Sequence, residues 1–94
     1  MAVTPVTLTA VVDPIATSTT SANLSLRSVT HGRIIANNSA GILYIFFGTT
    51  AASSTNFTVA IPANSFYELN QPPYGGQITG TLSTGTGTAL VTTW

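Results

Sequence analysis

The sequence predicts an all-β domain, a small antiparallel sandwich or barrel of about eight short strands. Three observations carry this. Apolar residues recur with period two and never with a sustained helical period. Gly, Pro and Asn clusters interrupt the apolar segments at regular intervals. The polar complement is mostly Thr and Ser, and β-branched Thr suits a pleated surface.

Taken in order, Val6, Leu8, Ala10 and Val12 alternate with Thr7, Thr9 and Val11, which predicts a half-buried strand closed by Asp13-Pro14. Residues 1–12 therefore read as an edge strand or an N-terminal arm. ATSTTSAN, residues 16–23, reads as a polar loop whose hydroxyls bond the nearby backbone. Residues 14–22 are the one stretch that admits a turn of helix. Leu24 and Leu26 alternate with Ser25 and Arg27 as a second strand. His31-Gly32 makes a turn or bulge before Arg33-Ile34-Ile35-Ala36. Asn37 to Gly41 is rich in residues that tolerate left-handed backbone, so residues 33–47 read as a hairpin with a central second strand.

Phe57, Val59 and Ile61 alternate with Thr58 and Ala60, and Pro62 stops that strand. Pro62 to Ser65 turns the chain into Phe66-Tyr67-Glu68-Leu69. Residues 70–76 form a loop that carries Tyr74 at an exposed tip. Gln77 to Leu82 is a strand in which Gly80 marks a bulge or a close approach. Ser83 to Gly87 turns, and Thr88 to Trp94 is the last strand. No internal repeat or second domain is found, so residues 1–94 read as one domain.

Composition excludes most chemistry. The charged side chains are Asp13, Arg27, Arg33 and Glu68, with His31 the lone imidazole. They make up 4% of the chain, against about 25% in an average soluble domain. There is no cysteine, so disulfides and thiolate metal sites are both absent. Two carboxylates do not build a calcium site, and two arginines do not neutralise a run of phosphates. STGTGTA, residues 83–89, lacks dinucleotide and Walker spacing and precedes a strand, so it reads as a turn. No nucleophile elbow accompanies the abundant serines. The reading is a non-enzyme without cofactor, nucleic-acid or membrane partner. The N-terminus has neither the basic nor the apolar region of a signal peptide, which predicts a protein made and assembled in a cytoplasm.

A domain of this size is marginal without added support, and with disulfides and metals excluded that support is oligomerisation or docking. The run Ile42-Leu43-Tyr44-Ile45-Phe46-Phe47 sharpens the point. It does not alternate, so both faces of its strand need cover. A second sheet covers one face; a loop, the N-terminal arm or a neighbouring subunit covers the other. Tyr44 and Phe66 read first as core residues. The candidate interface residues are Arg33, Tyr44, Phe46, Tyr74 and Trp94, because aromatic and Arg side chains are the usual anchors of protein contacts.

The stretch from Asn37-Asn38 through Ile42–Gly48, Pro62–Leu69, Tyr74–Gly76 and Ile78–Gly80 to Gly85–Thr92 resembles small virion proteins of tailed bacteriophages. It spans about the last two-thirds of the chain. The resemblance implies a jelly-roll-like capsid cement or decoration protein, assembled as a trimer on the head surface and clamping the major capsid protein. The alternative is a tail-associated or host-adhesion module of a phage particle, in which exposed Tyr74 and Trp94 would bind glycan.

Overall fold

The computed structural model describes residues 9–28, 31–69 and 74–94. Within them eight strands form: β1 (Val11–Thr17), β2 (Ala22–Asn23), β3 (Arg33–Asn38), β4 (Leu43–Phe47), β5 (Val59–Ile61), β6 (Phe66–Glu68), β7 (Ile78–Leu82) and β8 (Gly87–Thr93). Sheet A has the order β1-β8-β3-β6 and sheet B the order β2-β7-β4-β5, with every pair antiparallel. The chain changes sheet at every connection except β4 to β5. This is the strand order of a jelly roll, and the fold is the all-β antiparallel sandwich that the sequence predicts.

Period-two alternation builds the core between the sheets. Ile15, Ile35, Ala89 and Val91 point in from sheet A, and Leu43, Ile45, Ile61, Ile78 and Leu82 from sheet B. Leu24 and Leu69, just past β2 and β6, complete it. Each fully buried Leu or Ile contributes about 1.5–3 kcal/mol of transfer free energy. Gly80 faces this core, where an added Cβ would lie 2.5 Å from Leu24 Cδ1. The predicted close approach is therefore present, and Gly80 lets Leu24 seat against β7.

Several boundaries differ from the sequence reading. β1 runs straight through Asp13-Pro14 to Thr17 and includes residues assigned to a loop. Pro14 is tolerated because β1 is an edge strand, paired only with β8. No helical turn forms in 14–22, since Ile15 and Thr17 are drawn into the core by strand alternation. β2 is only Ala22–Asn23, and Leu26 beyond it is 60% exposed. Val6 and Leu8 lie outside the described residues.

The largest correction concerns residues 33–47. They are no hairpin: β3 belongs to sheet A and β4 to sheet B. The crossing is fastened by Asn37, which is 2% exposed. Its Nδ2 donates to the carbonyls of Gly41 (2.8 Å), Ile61 (2.9 Å) and Pro62 (3.1 Å), and its Oδ1 accepts from Ser39 Oγ (2.6 Å). Its backbone N–H donates to Ser65 O, and its carbonyl accepts from Asn64 N–H. One side chain and its peptide groups thus tie β3 to the start of β4, the end of β5 and the turn before β6. Asn64 in that turn has φ 59°, a left-handed conformation that Asn tolerates well.

Replacing Asn37 by Ala removes the side-chain donor of the Ile61 carbonyl and leaves Gly41 O to Ser39 Oγ and Pro62 O to Ser65 N–H, at a cost of about 1–3 kcal/mol. The same change at exposed Asn38 costs within about 0.5 kcal/mol. Urea unfolding of the two variants measures the difference, and equal costs would remove Asn37 from its role as fastener.

Candidate contact surface

The two sheets present different outer faces. On sheet B, the outward residues of β4 are Tyr44 and Phe46, and both are half-buried. The cover comes from the chain itself. Phe57 packs against Tyr44 with ring centroids 5.0 Å apart, and the segment after β4 lies down on β7. Thr79 Oγ1 accepts from Ala52 N–H (3.1 Å) and donates to Thr50 O (2.8 Å), while Thr81 Oγ1 donates to Ala52 O (2.7 Å). Ala52 is consequently buried. The outward threonines of β7 replace water with loop backbone, so residues 49–58 cover part of the outer face of sheet B, with Phe57 over Tyr44, while Ile42 stays exposed. An open groove of about 410 Å³ remains at its margin, lined in part by Tyr44, Thr19, Ser21, Ser53 and Thr81.

Among the described residues, the outer side of sheet A is partly exposed. The register places Pro14, Leu90, Ala36 and Phe66 side by side across all four strands. The adjacent row is Val12, Thr92, Ile34 and Glu68. Phe66 is 67% exposed and Val12 53%. A hollow of about 380 Å³ adjoins Phe66, lined by Ala36, Leu90, Asn38, Asn64 and Ser65. Glu68 is the sole formally charged side chain among the strand residues of this face.

Charge collects at one end of the sandwich. Arg27 makes a two-pronged contact with Asp13, Nε to Oδ2 at 2.7 Å and Nη2 to Oδ1 at 3.2 Å. Arg33, on the inward face of β3, is 1% exposed; its Nη2 donates to the Arg27 carbonyl and its Nε to Thr93 Oγ1 at 3.4 Å. Burial lowers the Arg33 pKa from its ordinary value, and the Asp13 carboxylate opposes that shift. Asp13 thus serves two arginines, one at the surface and one inside. Among the described residues no group of three or more His, Cys, Asp or Glu side chains comes together.

The sequence-derived interface candidates fare unevenly. Arg33 is buried, so its guanidinium lies inside the chain and not on its surface. Tyr44 and Phe46 sit under or beside the chain's own loop. Tyr74 is no exposed loop tip: its ring stacks on Phe47 at 4.8 Å, with planes 11° apart. Trp94 packs over Gly32, where an added Cβ would lie 2.4 Å from the indole Cζ2. Phe66, assigned to the core from sequence, is the most exposed large apolar side chain described. The missed signal is parity. Phe66 shares a strand face with Glu68, and Tyr67 shares one with buried Leu69.

No family model matches this chain, and neither a curated protein nor a solved structure matches it.

Two outcomes follow from these contacts. Asp13→Asn costs more stability than Arg27→Gln, about 1–3 against less than about 1 kcal/mol, because it strips the carboxylate from a buried cation as well as an exposed one. Thermal unfolding at neutral pH compares them, and the reverse order would dismiss the shared-carboxylate account. Thr79→Val removes both hydroxyl bonds to the 50–52 backbone. Amide exchange at Ala52 then speeds by at least about tenfold, the equivalent of one lost bond of about 1.4 kcal/mol. Unchanged exchange at Ala52 would mean that apolar contacts alone hold the loop.

Proposed function

We propose that this chain is a structural protein of a virus particle: a capsid cement or decoration protein that oligomerises on the head surface and stabilises the lattice of the major capsid protein. The observation that carries the reading is the open apolar row Pro14–Leu90–Ala36–Phe66 on a sheet face with a single charge. Such a face in water favours association, and nothing in the chain's charge opposes it. The jelly-roll order and the resemblance of residues 37–92 to tailed-bacteriophage virion proteins support the same reading, and the resemblance implies a trimer.

The mechanism is mechanical. Each copy buries apolar and hydroxyl-rich surface against its neighbours and opposes their separation when packaged DNA presses outward. Contacts of this kind depend little on salt, because few charges take part. Many weak copies on one lattice gain by multivalency what a single contact lacks. A second reading, a glycan-binding adhesion module on the tail, is favoured by the uncharged groove beside Tyr44 with its rim of hydroxyls.

Quantitative mass spectrometry of purified particles from the protein's source decides between them. Cement predicts hundreds of copies per particle, on the scale of the major capsid protein. A handful of copies would move the chain to the tail or a vertex and favour the adhesion reading, and absence from particles would reject both.

A further inference from the structure

We propose that the cluster of Asp13, Arg27 and Arg33 is a lock against proteolysis. It closes the one exposed peptide bond, Arg27–Ser28, at which a trypsin-like protease would cut this chain. The inference stands apart from the proposed function and concerns a device of the fold itself.

The sequence narrows the target first. A trypsin-like protease cuts after Lys or Arg, and the chain holds two Arg and no Lys. The two bonds at issue are Arg27–Ser28 and Arg33–Ile34. Arg33 is the first residue of β3, a strand flanked by β8 and β6, and it is 1% exposed. A protease reaches that bond when sheet A comes apart. Arg27 and Ser28 are exposed and lie outside the strands, in the kind of segment where nicking concentrates.

Three contacts close the exposed bond. The protease must draw the Arg side chain into an acidic pocket, and Asp13 already holds that guanidinium, Nε to Oδ2 at 2.7 Å and Nη2 to Oδ1 at 3.2 Å. It must set the scissile carbonyl between its own N–H donors, and the Arg27 carbonyl accepts from Arg33 Nη2. It must also lay the residues before the bond along its cleft as an extended strand. Here Leu24 is fully buried and its N–H donates to Ile78 O at 2.8 Å, while Ser25 Oγ accepts from Ile78 N–H at 3.0 Å.

The two sheets hold the segment from opposite sides. Asp13 on β1 and Arg33 on β3 bring the side-chain and carbonyl contacts from sheet A, and Ile78 on β7 brings the backbone contacts from sheet B. Cleavage therefore waits on release of residues 24–27 from both sheets at once. That release also takes the Arg27 carbonyl from the buried Arg33 head group, which adds to the cost of opening.

Limited trypsin digestion of the folded full chain, read by mass spectrometry, tests this, with a synthetic peptide of residues 22–32 as the unprotected reference. The first cut falls at Arg27–Ser28, at least about a hundredfold slower than in the peptide, because cleavage follows the small open population. Asp13→Asn speeds that cut at least about tenfold, since it frees the guanidinium and leaves Arg33 without its counter-charge. Arg27→Lys keeps a bond that trypsin cuts but loses the two-pronged contact, and it speeds the cut at least about threefold relative to its own peptide. Thermolysin cuts beside apolar residues and needs no guanidinium, so on the same samples it measures general loosening. The gain with trypsin must exceed the gain with thermolysin. Should Asp13→Asn fail to fold, Arg27→Lys decides alone, because an exposed pair contributes little to stability. A wild-type chain cut as fast as the peptide, or first at Arg33–Ile34, overturns the lock. Equal gains with the two proteases, or no gain with trypsin, overturn it as well.

Discussion

The buried amide of Asn37 is the constraint on which the rest of the structure hangs. A jelly roll must pass its chain between sheets repeatedly, and each passage strands backbone carbonyls that no ladder can satisfy. At the passage from β3 to β4 those are the carbonyls of Gly41, Ile61 and Pro62, and a single Nδ2 serves all three. An apolar residue there would fill the space but take the side-chain donor from the Ile61 carbonyl, at a cost of about 1–3 kcal/mol, and leave Gly41 O and Pro62 O to the longer bonds from Ser39 Oγ and Ser65 N–H. A charged one would bring a desolvation cost that three neutral acceptors do not offset. The neutral amide meets the geometry, and Ser39 fixes its orientation by donating to Oδ1.

The same economy of charge runs through the molecule. A domain with four charged side chains cannot rely on ion pairs, so its polar groups are neutral and its partners are backbone. Thr79 and Thr81 hold the segment after β4, Thr58 Oγ1 accepts from Phe47 N–H at 3.0 Å, and Ser83 Oγ accepts from Ile42 N–H at 2.9 Å. Hydroxyls of this kind cost little to desolvate once bonded and bring no long-range field. The exception is Arg33, whose stem packs within the sandwich while its head group is held by Arg27, Thr93 and the field of Asp13. Three of the four charges are consumed in that one arrangement, which leaves the faces of the sandwich almost neutral.

Alternation made the fold class and part of the core legible: Leu24, Ile61, Ile78 and Leu82 read from period two. The unbroken run 42–47 does not alternate, so nothing in it chooses Leu43 and Ile45 over Tyr44 as the inward residues. Sheet membership is not legible either. A short Asn- and Gly-rich link between two apolar strands looks the same whether it turns within a sheet or crosses to another, because the difference lies in the distant Ile61 and Pro62 carbonyls that Asn37 reaches. The exposure of Phe66 is not legible for a related reason: residue type alone offers Tyr74 and Trp94 as contact candidates and reads Phe66 as core. In the fold, the first two find Phe47 and Gly32 as internal partners, neither adjacent in sequence. Only the Phe66–Glu68 parity carried local information, and Pro62 and Asn64 just upstream masked it by leaving the strand three residues long.

Stability and surface are joined in β3. Its inward residues are Arg33, Ile35 and Asn37, and its outward residues Ile34, Ala36 and Asn38. Asn37 N–H donates to Ser65 O, and Asn37 O accepts from Asn64 N–H. These two bonds dock the turn that delivers Phe66, one residue later, beside Ala36. The group that fastens the two sheets therefore also sets the position of the most exposed aromatic ring on sheet A. A short edge strand such as β6 has little else to hold it, with three register pairs to β3 and none on its other side. An apolar projection on a loosely held edge would wander among partners and invite aggregation. Tied to a buried amide through Ser65 and Asn64, it presents one shape.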